Sequence, residues 1–224
     1  MNQSAFERYI IRTKENRKPH SRLIIPVTTA DNRRIGSLGC IDRGMVDDQR
    51  IIAAMTKWRN TFMASFLTHF LATEPRTRAW LENVILPAPD RLLFIIFCGN
   101  DPVGQIGLCK ITKASAELDN VIRGKRSGER HLAYYSAVAL LGWAFEKVAL
   151  EKIALGVLSQ NAPAVQLYSK LGFVELSRHT LTSFATKEKT ALLLDQPNGP
   201  FEDYHYILMC VTRQQFQSGE CDYA

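Results

Sequence analysis

The chain has 224 residues, 46% hydrophobic and 22% charged, the composition of a globular protein long enough to bury a sizeable core. Lys and Arg number 28 against 22 Asp and Glu, and the resulting charge of +6 favours anionic partners without choosing among them. The five cysteines, at 40, 98, 109, 210 and 221, form no C-x-x-C pair, and no apolar run approaches a bilayer's width, which argues against a disulfide frame, a zinc site and a membrane span.

These features lead to the expectation of a cytoplasmic protein with reduced thiols and no bound metal. The basic residues are not gathered into a stripe interleaved with aromatics, so nucleic acid is not the expected partner.

Taken in chain order, residues 1–20 are polar and charged and read as a loosely held arm. "SRLIIPVTT" and "RRIGSLGCID" flank the turn-like "ADN" and predict a hairpin. "DDQRIIAAMTKWRN" carries apolar residues at 51, 52, 55 and 58, a helical spacing. A second helical region is predicted over 61–85, broken at Pro75 and followed by the loop "LPAPDR". "LLFIIF" and "VGQIGLCKIT" are strands joined by "GNDP", and "AELDNVIR" is the next strand. Its alternation places Ala116, Leu118, Asn120 and Ile122 on one face and Glu117, Asp119, Val121 and Arg123 on the other.

After the loop "GKRSGER", periodicity predicts a long helix over about 131–149, with Ala133, Ala137, Leu141, Ala144 and Val148 on one face. "KIALGVL" is a short, nearly continuous apolar strand, as expected where both faces are covered. Strand material follows around 173–186, "KEKTALLLDQPNGP" reads as a loop insertion, and "DYHYILMCVT" closes the sheet.

Between these strands, "QNAPAVQLYSKLGF" reads as a short helix with sharp ends. Asn161 is a natural N-cap, Pro163 is tolerated in the first turn, and Gly172 supplies the left-handed stop. Ala164, Leu167, Tyr168 and Leu171 form its apolar stripe. Packing alone would accept Leu or Phe at 168. A core tyrosine with a satisfied hydroxyl is one reading, and a phenol used in chemistry is the other.

Residues 161–173 follow the pattern N-x-x-A-x-x-L-Y-x-x-x-G-F, which resembles the closing motif of the GNAT superfamily of acyl-coenzyme A N-acyltransferases. The resemblance is best over 92–176 and weaker over the first predicted helix. It implies an α/β fold of the α+β type: a mixed, strongly twisted central sheet flanked by helices on both faces, in one domain over 21–224. It also implies acyl-coenzyme A, acetyl or another short acyl, as co-substrate. Tyr168 would protonate the departing thiolate, a reasonable transfer because free thiols and phenols titrate near about 8.5 and about 10. Asn161 would cap the helix, touch the coenzyme, or do both, with Ala164 beside it.

The same resemblance puts the coenzyme's pyrophosphate on amides at the start of the long helix, where the dipole favours anions. The family's loop reads Q/R-x-x-G-x-G/A, and this chain departs from it. One register uses Arg123, Arg126 and Gly128; the other uses Gly128, His131 and Ala133. Helix length favours the second, which sets Arg130, His131, Leu132 and Ala133 nearest the phosphates. The end of the preceding strand would pair its backbone with the pantetheine arm at Val121, Ile122 and Arg123. Glu117 and Asp119 are candidates to take the amine's proton, or else belong to a structural charge cluster.

Within the superfamily, "AELDNVIRG" with the segment 140–173, and "KWRN" at 57–60, are similar to acyltransferases of nucleotide-linked amino sugars in surface polysaccharide synthesis. Arg59, Asn60, His69 and Asn120 are therefore the expected acceptor contacts, under a variable 61–85 region. The expected reaction is direct acyl transfer to a primary amine without metal, on small-molecule substrates, with a homodimer as one possible assembly. Transfer to a protein N-terminus, polyamine or antibiotic amine, or an idle acyl-CoA-binding module, are the alternatives.

Overall fold

The computed structural model describes residues 3–126, 128–185, 190–194 and 205–218. Ten strands run β1 Ile24–Thr28, β2 Arg34–Cys40, β3 Thr68–His69, β4 Leu92–Cys98, β5 Asp101–Cys109, β6 Ser115–Arg123, β7 Lys152–Leu158, β8 Val174–Ala185, β9 Thr190–Leu194 and β10 His205–Thr212. Among the described residues seven α-helices accompany them: α1 Gln3–Lys14, α2 Arg43–Val46, α3 Gln49–Thr61, α4 Glu74–Trp80, α5 Leu132–Trp143, α6 Ala162–Lys170 and α7 Arg213–Gln217. The strands are hydrogen-bonded in the order β1-β2-β4-β5-β6-β7-β10-β8-β9-β3, antiparallel except for β6 beside β7. The expected mixed sheet with helices on both faces is the fold observed.

Strand β4 shows why the sheet is buried on both sides. Leu92, Phe94 and Ile96 enter one core with α1 and α5, while Leu93 and Ile95 enter the other with α2, α3 and α4. Successive side chains on a strand point to opposite faces, so an unbroken apolar run needs two cores. Trp58 of α3 and Ile122 of β6 share the second core.

Four expectations change. Residues 3–14 form a helix, not a loose arm: Phe6, Ile10 and Lys14 lie on one side of α1 and are all buried. The aliphatic stem of Lys14 is buried, and its ammonium donates to the carbonyls of Ile85 (2.8 Å), Ala88 and Arg91 (3.1 Å). Pro75 opens α4 instead of breaking a helix, because Thr73 caps the first turn, where a missing N–H costs nothing. Residues 190–194 of the predicted loop form β9, which pairs with β8 and with β3; the rest of that insertion and Cys221 fall outside the described residues.

The fourth change concerns β6. Gly107 pairs with Asp119 and Gln105 with Ile122, so Asn120 and Val121 together oppose Ile106 alone. This is a β-bulge, and Asn120 takes a left-handed φ of 54° within it. The predicted alternation breaks there: Ala116 and Leu118 face the first core, but Ile122 faces the second and Val121 the first.

Candidate active site

Strands β6 and β7 are parallel neighbours only where Ser115–Glu117 meet Lys152–Ala154. Both continue, to Arg123 and Leu158, without pairing to each other. The sheet splits into a wedge, and backbone polar groups beyond the split need partners from elsewhere. A cavity of about 590 Å³ fills it, walled by Leu118–Arg123, by Gly156–Leu158, and by residues of α5 and α6.

Helix α6 supplies one wall through Asn161, Pro163, Ala164, Leu167 and Tyr168. Asn161 caps it by accepting from the Ala164 amide at 3.4 Å, and Gly172 ends it with a φ of 83°. The Tyr168 ring is buried against Phe173, with centroids 5.9 Å apart. No hydrogen bond of its hydroxyl is found among the described residues, and the residue lines the cavity. Burial first, then the nearby Asp119 and Tyr206, raise the phenol's pKa above its ordinary value. The group therefore keeps its proton at neutral pH, which a general acid requires.

Helix α5 faces the other end of the cavity. Arg130, His131 and Ala133 line it, as do Val121, Ile122 and Arg123. Gly128 and Leu132 do not: Leu132 is fully buried in the core, and Gly128 makes the left-handed turn (φ 84°) that leads into the helix. A Cβ at Gly128 would stand 2.9 Å from the Cys98 sulfur, so the glycine is required by packing as well as by φ. Unpaired strand backbone and a helix start flanked by Arg130 suit an extended, amide-rich arm ending in phosphates.

The two carboxylates differ. Asp119 reaches the cavity wall and accepts from Arg91 Nη1 (3.1 Å), from the Asn120 amide (2.8 Å) and from Asn120 Nδ2 (2.7 Å). It thereby holds the bulge. Glu117 is paired with Lys110 at 2.8 Å and lies outside the cavity lining. Tyr206 of β10, which the sequence reading passed over, does line the cavity. A Cβ on Gly156 would fall 2.0 Å from its hydroxyl oxygen, so a second phenol lies across the bare backbone of β7. The glycine inside an otherwise apolar strand was the available hint.

The expected acceptor contacts are dispersed. Asn60 is spent on a loop clamp: it donates to the Ala72 carbonyl (3.0 Å) and accepts from the Ala72 amide (2.8 Å). A ring nitrogen of His69 lies 2.9 Å from the Phe66 carbonyl oxygen, and neither Asn60 nor His69 is among the residues lining this cavity or its neighbour. Arg59 and Asn120 line a second cavity of about 410 Å³ between α3, α4 and the segment 66–72. Phe66, Thr68 and Asn120 belong to both cavities, which therefore adjoin. Burial pulls the Arg59 pKa below the usual arginine value.

Among the described residues, no group of His, Cys, Asp and Glu could hold a metal ion, and no helix is long and apolar enough to cross a membrane.

Residues 46–174 match the family profile described as an acetyltransferase (GNAT) domain. No curated protein matches the sequence. Solved structures share the fold at low identity. The ribosomal L7/L12 alpha-N-protein acetyltransferase RimL is 15% identical at a TM-score of 0.64, over 88% of this chain and 98% of that one. The Vibrio cholerae spermidine N-acetyltransferase, solved with CoA and spermine, is 20% identical at 0.60, over 80% and 96%. The Campylobacter jejuni N-acetyltransferase PseH is 13% identical at 0.52, over 80% and 99%.

Proposed function

We propose, on the premise that this chain belongs to the GNAT acetyltransferase family and is an acyl-CoA-dependent N-acyltransferase, that it moves an acetyl or other short acyl group directly onto the primary amine of a nucleotide-linked amino sugar. The observation that carries the reading is the Tyr168 hydroxyl, without a hydrogen-bond partner among the described residues, on the wall of the split between β6 and β7. The thioester lies in the split, with its carbonyl polarised by a backbone N–H of β6 or β7. The neutral amine attacks that carbon, the C–S bond breaks, and the sulfur leaves with the Tyr168 proton.

Asp119 accepts the amine's proton, directly or through water. A carboxylate offers about four lone-pair sites, and three hydrogen bonds leave one. Asn161, Val121, Ile122 and Arg123 hold the pantetheine arm, and Arg130, His131 and Ala133 hold the phosphates. The likeness of "AELDNVIRG" and "KWRN" to acyltransferases of nucleotide-linked amino sugars supports the acceptor class.

The test is thiol release from acetyl- and propionyl-coenzyme A with nucleotide-linked amino sugars, spermidine and peptide N-termini as acceptors. A kcat/KM for an amino sugar nucleotide at least about tenfold above the others is expected. Turnover of a peptide or polyamine alone would replace the acceptor. No release with any amine, while coenzyme A still binds, would leave a binding module.

A further inference from the structure

The second cavity has an unbalanced wall. Three arginines, Arg59, Arg76 and Arg91, line it, and among the described residues no Asp or Glu does. Asp119 neutralises Arg91 at 3.1 Å from outside the lining. Arg59 and Arg76 have no ion pair among the described residues.

Arg59 is also held in a way that surface arginines are not. Its Cζ lies 3.9 Å from the Phe66 ring centre and 4.8 Å from that of Phe70. Nη2 donates to the Thr68 carbonyl at 2.5 Å, which orients the plane of the guanidinium. Nη1 is buried and has no hydrogen-bond partner among the described residues. A buried donor left unmatched costs on the order of 1–3 kcal/mol, more when charged, unless a ligand completes it. The Arg76 Cζ lies 4.7 Å from the same Phe70 ring centre, and Arg76 is exposed. Two guanidinium forks without an ion pair among the described residues thus share one aromatic ring. Planar forks on aromatic faces are suited to phosphate and carboxylate, and like charge disfavours a polyamine.

We propose that this cavity is an anion-recognition subsite, in which Arg59 and Arg76 hold a phosphate or carboxylate of the acceptor while its amine passes Asn120 into the split. The inference rests on the reading of the chain as an N-acyltransferase whose acceptor enters from this side. Phe66, Thr68 and Asn120, common to both cavities, mark the passage. The Asn60 clamp on Ala72 keeps the segment carrying Phe66 and Phe70 in register with Arg59, which makes Asn60 a positioning residue.

The test is calorimetric titration of the full chain, saturated with coenzyme A, with three probes. Uridine diphosphate represents phosphate, N-acetylaspartate represents carboxylate, and uridine is the uncharged control. At least one anion is expected to bind, about tenfold or more tighter than uridine. Arg76→Gln and Arg59→Met should each weaken that anion about tenfold or more, with coenzyme A affinity changed less than about twofold. The exposed Arg76 keeps the test decisive if Arg59→Met does not fold. The subsite is refuted if neither anion binds the native chain, if uridine binds as tightly, or if the folded variants bind the anion unchanged. Arginine-dependent anion binding without acylation of any amino sugar nucleotide would remove the proposed substrate and leave the subsite standing. Acylation of the nucleotide sugar with unchanged anion binding in the variants would do the reverse.

Discussion

Tyr168→Phe isolates a single proton. The ring is buried against Phe173, and phenylalanine retains that apolar area. No hydrogen bond of the lost hydroxyl is found among the described residues, so its removal should change stability by less than about 1 kcal/mol. A positioned general acid is worth ~100- to 10,000-fold, or about 2.7–5.4 kcal/mol of barrier. The loss should fall on kcat and spare KM, because the thiolate develops only in the transition state. The raised pKa of Tyr168 adds a pH signature. A phenol that ionises above its ordinary value stays protonated further into alkali, so its loss cannot depress native kcat below about pH 10. The same burial raises the basicity of a thiolate formed beside it, which keeps the transfer matched. The assay is thiol release with saturating acyl-coenzyme A, with a pre-steady-state measurement to show that chemistry limits the rate. A folded Tyr168→Phe enzyme with native kcat under those conditions would return Tyr168 to packing alone.

Arg130→Glu should weaken coenzyme A about tenfold or more in a binding titration, because it reverses a charge on the cavity wall beside the start of α5; Lys113→Glu, on the exposed β5–β6 loop, should change it less than about twofold. Lys14→Met keeps the buried stem but removes the ammonium shared by three carbonyls, so urea denaturation at neutral pH should show a loss of about 2–4 kcal/mol. Burial lowers the Lys14 pKa from 10.5 to about 8. Between those values the unfolded chain holds a proton that the native chain has released, so native stability should gain from this group as pH rises through the window, and the Met variant should lack that gain.

Local chemistry was legible in the sequence wherever a residue's role depends on its near neighbours. The caps of α6, the β4 run, the β1–β2 hairpin and the N-terminal boundary of α5 follow from capping, periodicity and turn preferences, which act over a few positions. The motif around Tyr168 was readable for the same reason, since one short helix presents its face and its stop together. The errors lie where a distant partner intervenes. A charged N-terminal segment became a helix because carbonyls from residues 85, 88 and 91 meet Lys14. The alternation of β6 failed because one extra residue at Asn120 shifts every later side chain to the other face.

By itself, then, the sequence determined the kind of domain, the capped helix and the phenol it carries, because propensity and pattern are short-range quantities. Only the tertiary structure decided which polar groups were left over. Asn60 and His69 looked available but are occupied by backbone groups of the segment 66–72, and Asp119 is largely spent on the bulge. Tyr206 and Arg76 gave no local signal, yet packing brings one across Gly156 and the other beside Arg59. Whether a side chain is free for chemistry depends on what the rest of the chain asks of it, and that is known only once the strands have paired and the loops have closed.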